Sequence, residues 1–66
     1  MMENQSKQRE LLIKLMYKKN ENIVEVAKSI GISRHTLSRF VHGKEVDFKR
    51  FCQIKDYCDK HGYKLY

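Results

Sequence analysis

Apolar and polar residues follow one another along the chain in four blocks with helical spacing. In the first block Leu11, Leu12, Leu15 and Met16 form one side while Lys14 and Lys18 point to the other, which predicts a helix over about 6–19. Asn20-Glu21-Asn22 breaks that pattern. Asn22 followed three residues later by Glu25 has the form of a capping box, with Asn in place of the more usual Ser or Thr, so a second helix is expected to start at Ile23. Its stripe is Ile23, Val26, Ala27 and Ile30, at i, i+3, i+4 and i+7. Gly31 ends it by entering the left-handed conformation at little cost. Ile32 follows as an apolar plug, and Ser33 offers an oxygen to cap a third helix whose stripe is Leu37, Phe40 and Val41. Beyond a loop at 43–46, Asp47 has the character of a cap for a fourth helix with apolar positions Phe48, Phe51, Ile54 and Cys58. Tyr57 lies beside that stripe and is expected at the boundary, hydroxyl to water. Gly62 ends the fourth helix, leaving the alternating tail Tyr63-Lys64-Leu65-Tyr66. With no proline and no repeat, the predicted fold is all-α, a small four-helix bundle containing a helix-turn-helix at 23–43.

The third helix carries the chemistry. Its positions off the apolar stripe are Arg34, His35, Thr36, Ser38, Arg39 and His42, all donors or hydroxyls, and no acid occurs between Ser33 and Lys44. Glycine between helices and apolar residues at these spacings would suit any small bundle. Joined to an acid-free, donor-rich face, they describe a helix that the major groove of DNA accepts.

Charge changes the picture in the same direction. Lys and Arg number 14 against 8 Asp and Glu, a net charge of +6, which favours a polyanionic partner, nucleic acid before membrane. Arg34, Arg39 and Lys44 lie on or beside the third helix, whereas Asp47, Asp56 and Asp59 lie on or beside the fourth. A chain of 66 residues is expected to form one domain over 1–66. At that size only about 60% of the unfolded surface is buried, so dimerisation would help. There is no run of about 18 apolar residues and no leader-like segment, so the expected location is the bacterial cytoplasm or nucleoid.

Cys52 and Cys58 stand about 9 Å apart along one helix and on different faces, beyond the Cα limit of roughly 7 Å for a disulfide. They are expected as core or boundary thiols in a reducing compartment. Cys58 and His61 share a face at i, i+3, but two ligands without a CxxC or a second His pair do not make a zinc site. No metal, cofactor or small-molecule ligand is expected. The same two residues are the sole nucleophile and base pairing, on a domain too small for a cavity, so no enzyme is expected.

Ala27, Gly31-Ile32-Ser33, Thr36-Leu37-Ser38-Arg39 and His42-Gly43-Lys44 together resemble the helix-turn-helix of the lambda-repressor-like family, which holds phage repressors, Cro-type proteins and many small bacterial regulators. The resemblance is dense over 23–44. It departs at Ile23, where the family often has a glutamine that contacts a phosphate and braces the recognition helix; Asn22 is the neighbour expected to replace it. The resemblance implies base contacts from the positions of Arg34, His35 and Arg39. Ser38 faces the groove between them, close enough to touch a base or permit close approach. His35 donates to guanine or accepts from an amino group according to its tautomer. Asn22 and Ser33, at helix N-termini, and His42 and Lys44, just beyond the recognition helix, are placed for phosphates. Leu37 and Phe40 are assigned to the core.

The expected function is that of a sequence-specific regulator binding double-stranded DNA, a small Cro-type repressor that reads a palindromic operator as a homodimer through the helix at 33–42. The rival is a protein-interaction module or inhibitor that turns the same bundle against a protein partner. Tyr63, Leu65 and Tyr66 are read as a dimer contact, with completion of the monomer core as the alternative.

Overall fold

The computed structural model describes residues 5–64. It contains α1 (Gln5–Lys19), α2 (Ile23–Ile30), α3 (Arg34–Val41) and α4 (Phe48–Lys60), and no strand among the described residues. The punctuation between helices follows local chemistry. Asn20 takes a positive φ of 57° and the Glu21 amide reaches back to the Met16 carbonyl at 3.0 Å, closing α1. Asn22 accepts from the Glu25 amide at 2.9 Å while Glu25 accepts from the Asn22 amide at 3.0 Å, so the capping box is present on both sides. Gly31, at φ 95°, makes the sharp exit from α2. That turn lets the Ile32 amide bond the Ala27 carbonyl at 3.1 Å, and it sets Ser33 to accept from the Thr36 amide at 3.1 Å.

The core is Leu12 and Leu15 from α1, Val26 and Ala27 from α2, Leu37 and Phe40 from α3, and Ile54, Tyr57 and Cys58 from α4. α2 packs on α3 and α4, and α1 packs on α3 and α4, so α3 is held from two sides by its apolar face. Phe51 is also buried. The buried face of α1 begins earlier than its apolar residues: Gln5 and Gln8 are buried, while Leu11 and Met16 are half-buried rather than fully inside.

Three expectations for α4 need correction. Phe48, read as part of the apolar stripe, is 68% exposed in the first turn of the helix. Tyr57 is buried rather than at the boundary, and its hydroxyl donates to Glu21 Oε1 at 3.0 Å instead of to water. Burial, with the Glu21 carboxylate beside it, pushes its phenol up to about 12. Asp47 stands at the N-cap but its side chain makes no cap bond; it pairs with Arg50 at 3.3 Å instead.

The thiols separate as expected: Cys58 is in the core and Cys52 half-buried. Burial pushes the Cys58 thiol up to about 11, with the Gln8 amide pulling it down. His61 stays on the surface with its ring edge-on to Tyr57, centroids 4.7 Å apart, so it does not converge with Cys58 on a common site. Among the described residues, no group of three or more His, Cys, Asp or Glu side chains is arranged to hold a metal. No described helix is long and apolar enough to cross a membrane.

Candidate nucleic-acid interface

α3 is a two-turn helix anchored by its back. Leu37 and Phe40 are wholly buried and Val41 is half-buried against the core. With that face fixed, a helical period of 3.6 sends His35, Arg39 and His42 to the opposite side and leaves Arg34, Ser38 and Thr36 on the flanks. Arg34, His35, Arg39 and His42 are exposed, and Ser38 and Thr36 half-buried.

The structure brings together three of the four residues expected to contact bases. Arg34, His35 and Ser38 line one shallow cleft with Ile23 and Val24 from the start of α2. Arg39 stands apart from them. It lines a second cleft on the other flank of α3, with Thr36, Glu45, Val46, Asp47 and Arg50. Glu45 and Asp47 therefore approach the recognition helix from that side, and the acids are not all remote from it. Arg50, already bonded to Asp47, adds a cation to the same edge.

The four residues assigned to phosphates differ in how free they are. Asn22 is exposed, with its oxygen committed to the capping box. The Ser33 hydroxyl accepts from the Thr36 amide and donates to Thr36 Oγ1 at 2.8 Å, so its local role is capping. His42 is the C-cap of α3, and its Nδ1 lies 2.7 Å from the Ser38 carbonyl. A carbonyl only accepts, so Nδ1 carries the proton there and Nε2 is the atom left for other partners. Lys44 is exposed just past the left-handed Gly43, at φ 105°, and its amide bonds the Arg39 carbonyl at 2.9 Å. Ile23, at the position where the resembling family has glutamine, is half-buried against the core and lines the cleft with Arg34.

Tyr63 packs against the core, and its amide bonds the Cys58 carbonyl at 2.9 Å, closing α4. Leu65 and Tyr66, also assigned to a dimer contact, lie outside the described residues.

The pattern-based reading missed two residues that hold this surface in place. Arg9 of α1 donates from Nε to the Phe40 carbonyl and from Nη2 to the Lys44 carbonyl at 3.1 Å. Gln5, one turn earlier, donates to the Val46 carbonyl at 3.0 Å and accepts from the Val46 amide at 3.1 Å. The one signal was position: the two lie at i, i+4 at the start of a helix whose apolar stripe begins later.

A family model, the Cro/C1-type HTH DNA-binding domain, matches residues 12–59, which take in the second half of α1 and all of the two clefts. The chain belongs to this family. No curated protein and no solved structure matches it. As a Cro/C1-type domain, the chain has its helix-turn-helix in α2, the turn at 31–33 and α3. Arg9 and Gln5 precede the matched span.

Proposed function

We propose that the chain is a sequence-specific transcriptional regulator, a small Cro-type repressor that lays α3 in the major groove of double-stranded DNA. The observation that carries the reading is the exposed, acid-free face of a helix whose back is locked into the core, in a chain of the Cro/C1-type family. Arg34, His35 and Ser38 read base edges from one flank and Arg39 from the other; an arginine donates bidentately to guanine O6 and N7. Asn22, Ser33, His42 and Lys44 hold phosphates on either side, Asn22 in place of the absent glutamine. The regulator acts in the bacterial cytoplasm or nucleoid as a homodimer on a palindromic operator, with recognition helices roughly 34 Å apart. It performs no catalysis and needs no cofactor in this reading.

Selection of bound sequences from random duplex DNA, followed by a salt series, tests the reading. Arg34→Ala and Arg39→Ala are each expected to weaken operator binding by about 1–3 kcal/mol, leaving the melting temperature unchanged. Because they line different clefts, their losses should add and should relax different base positions. A variant that binds operator and random DNA as well as the parent removes that arginine from base reading.

Lys44→Ala is expected to weaken both DNAs by similar factors and to make the salt dependence shallower by about one unit. Its exposed ammonium, on the loop next to α3, meets a phosphate more readily than a base. An unchanged slope would reduce Lys44 to a solvated loop charge.

The second reading, a module that binds a protein partner, has one observation in its favour. Ile13 and Tyr17, 42% and 90% exposed, border an apolar cleft with Met16, Ile23 and Val41. Absence of duplex binding even at low salt would decide for it.

A further inference from the structure

We propose that Arg9 is a positioning residue for DNA reading, a fork from α1 that fixes the end of the recognition helix and the Lys44 loop as one rigid unit. The inference rests on the DNA-reading role of α3 proposed above. Its grounds are geometric.

The guanidinium makes three contacts at once. Nε donates to the Phe40 carbonyl, Nη2 donates to the Lys44 carbonyl at 3.1 Å, and the central carbon sits 5.0 Å from the centroid of the Phe40 ring. The Phe40 carbonyl already accepts from the Gly43 amide at 3.1 Å, so the guanidinium adds a second, charged donor to it. It lies at the C-terminal, negative end of the helix dipole, which is where a cation is most useful. A charged donor to such an oxygen makes a bond about twice as strong as a neutral one. Four residues earlier on α1, Gln5 makes its paired bonds to the Val46 backbone. One face of α1 thus grips the chain at 40, 44 and 46, covering the last turn of α3 and the loop after it.

That grip matters because α3 has only eight residues. Its two fully buried anchors, Leu37 and Phe40, lie within a single turn, so contacts at the ends of the helix bear on its tilt. The Arg9 fork sets the tilt, and with it the placing of Arg34 and His35 relative to the Lys44 phosphate contact. Base reading needs both ends in place together. Binding to random duplex is carried by charge and tolerates a looser pose. Both Arg9 and Gln5 precede the span that the family model matches, whereas the carbonyls they hold lie within it. A lysine keeps the charge but replaces a planar fork by one compact ammonium that cannot serve both carbonyls in the same way.

The test uses Arg9→Lys, Arg9→Gln and Gln5→Met in the full chain, each measured well below its melting temperature. Affinity for the selected operator and for random duplex is followed through a salt series, and amide exchange at Gly43 and Lys44 is followed without DNA. The expected result for both Arg9 variants is a loss of roughly ten-fold in the operator-to-random ratio, an unchanged salt slope on random DNA, and faster exchange at both amides. Gln5→Met should show a smaller loss of the same kind, and it carries the test if an Arg9 variant does not fold. A lowered melting temperature with an intact ratio would make Arg9 a scaffold residue and overturn the proposal. A slope reduced by about one unit in Arg9→Gln and restored in Arg9→Lys would overturn it too, as a direct phosphate contact. If the parent itself shows no sequence preference, the proposed function fails and takes this inference with it. A selective parent with equally selective variants defeats the inference alone.

Discussion

Phe40→Ala is expected to remove most of the stability of the folded chain and to abolish binding to operator and random DNA together. The ring is the largest of the fully buried side chains, at 0% exposure, and it belongs to the core cluster shared by all four helices. Truncating a buried phenylalanine costs about 3–5 kcal/mol, the lost transfer energy plus the cavity left behind. A domain of this size has on the order of 3–10 kcal/mol in all, so that single cost is comparable with the total. The substitution also strips the ring from under the Arg9 guanidinium, 5.0 Å away, and so loosens the last turn of the recognition helix. Circular dichroism melting and urea titration are the measurements. A curve superimposable on the parent's would show that Phe40 is not an anchor of α3. The contrast with Arg34→Ala is informative: that change should leave the melting curve in place and weaken sequence preference, because Arg34 is exposed.

Much of the fold was legible because its signals are local. The capping box of Asn22 and Glu25, the left-handed Gly31 and the Ser33 cap involve residues within a few positions of each other, so sequence spacing alone predicts them. The burial at the start of α1 was not legible. Gln5 and Gln8 read as surface residues by type, yet both are buried; the cost of burying Gln5 is met by the Val46 backbone, which is 41 residues away. Tyr57 escaped for the same reason: its hydroxyl finds Glu21, 36 residues distant, and the ring can then be drawn inside. Phe48 failed in the other direction. Its spacing fits the stripe, but it lies at the first turn of α4, where a periodic pattern does not tell whether another element covers it.

The site divides along the same line. Periodicity on a short helix predicts which residues of α3 point away from Leu37 and Phe40, and Arg34, His35 and Ser38 do gather on one cleft. It does not predict the path of the loop after Gly43, which carries Glu45 and Asp47 to the flank where Arg39 sits. Those acids share a cleft with Arg39, whereas the cleft of Arg34 is lined by no acid.

Replacing Leu65 and Tyr66 together by serine is expected to convert a dimer to a monomer. Affinity for an operator with two half-sites should fall by about 100-fold or more, with little change for one half-site. The loss is large because the second half-site is bound at the high effective concentration set by the first. Tyr63 must be left in place. It packs against the core and its amide closes α4 on the Cys58 carbonyl, so removing it would destabilise the monomer and blur the result. Three arguments favour a dimer. A domain this short buries only about 60% of its unfolded surface, less than larger domains do. Its last two residues, Leu65 and Tyr66, are large and largely apolar. Two-fold symmetry in the protein also matches half-sites one helical turn apart on one face of DNA. Sedimentation of parent and variant, free and with each DNA, measures the effect. A parent that stays monomeric at high concentration, both free and on DNA, would overturn the dimer and leave the chain reading a single half-site.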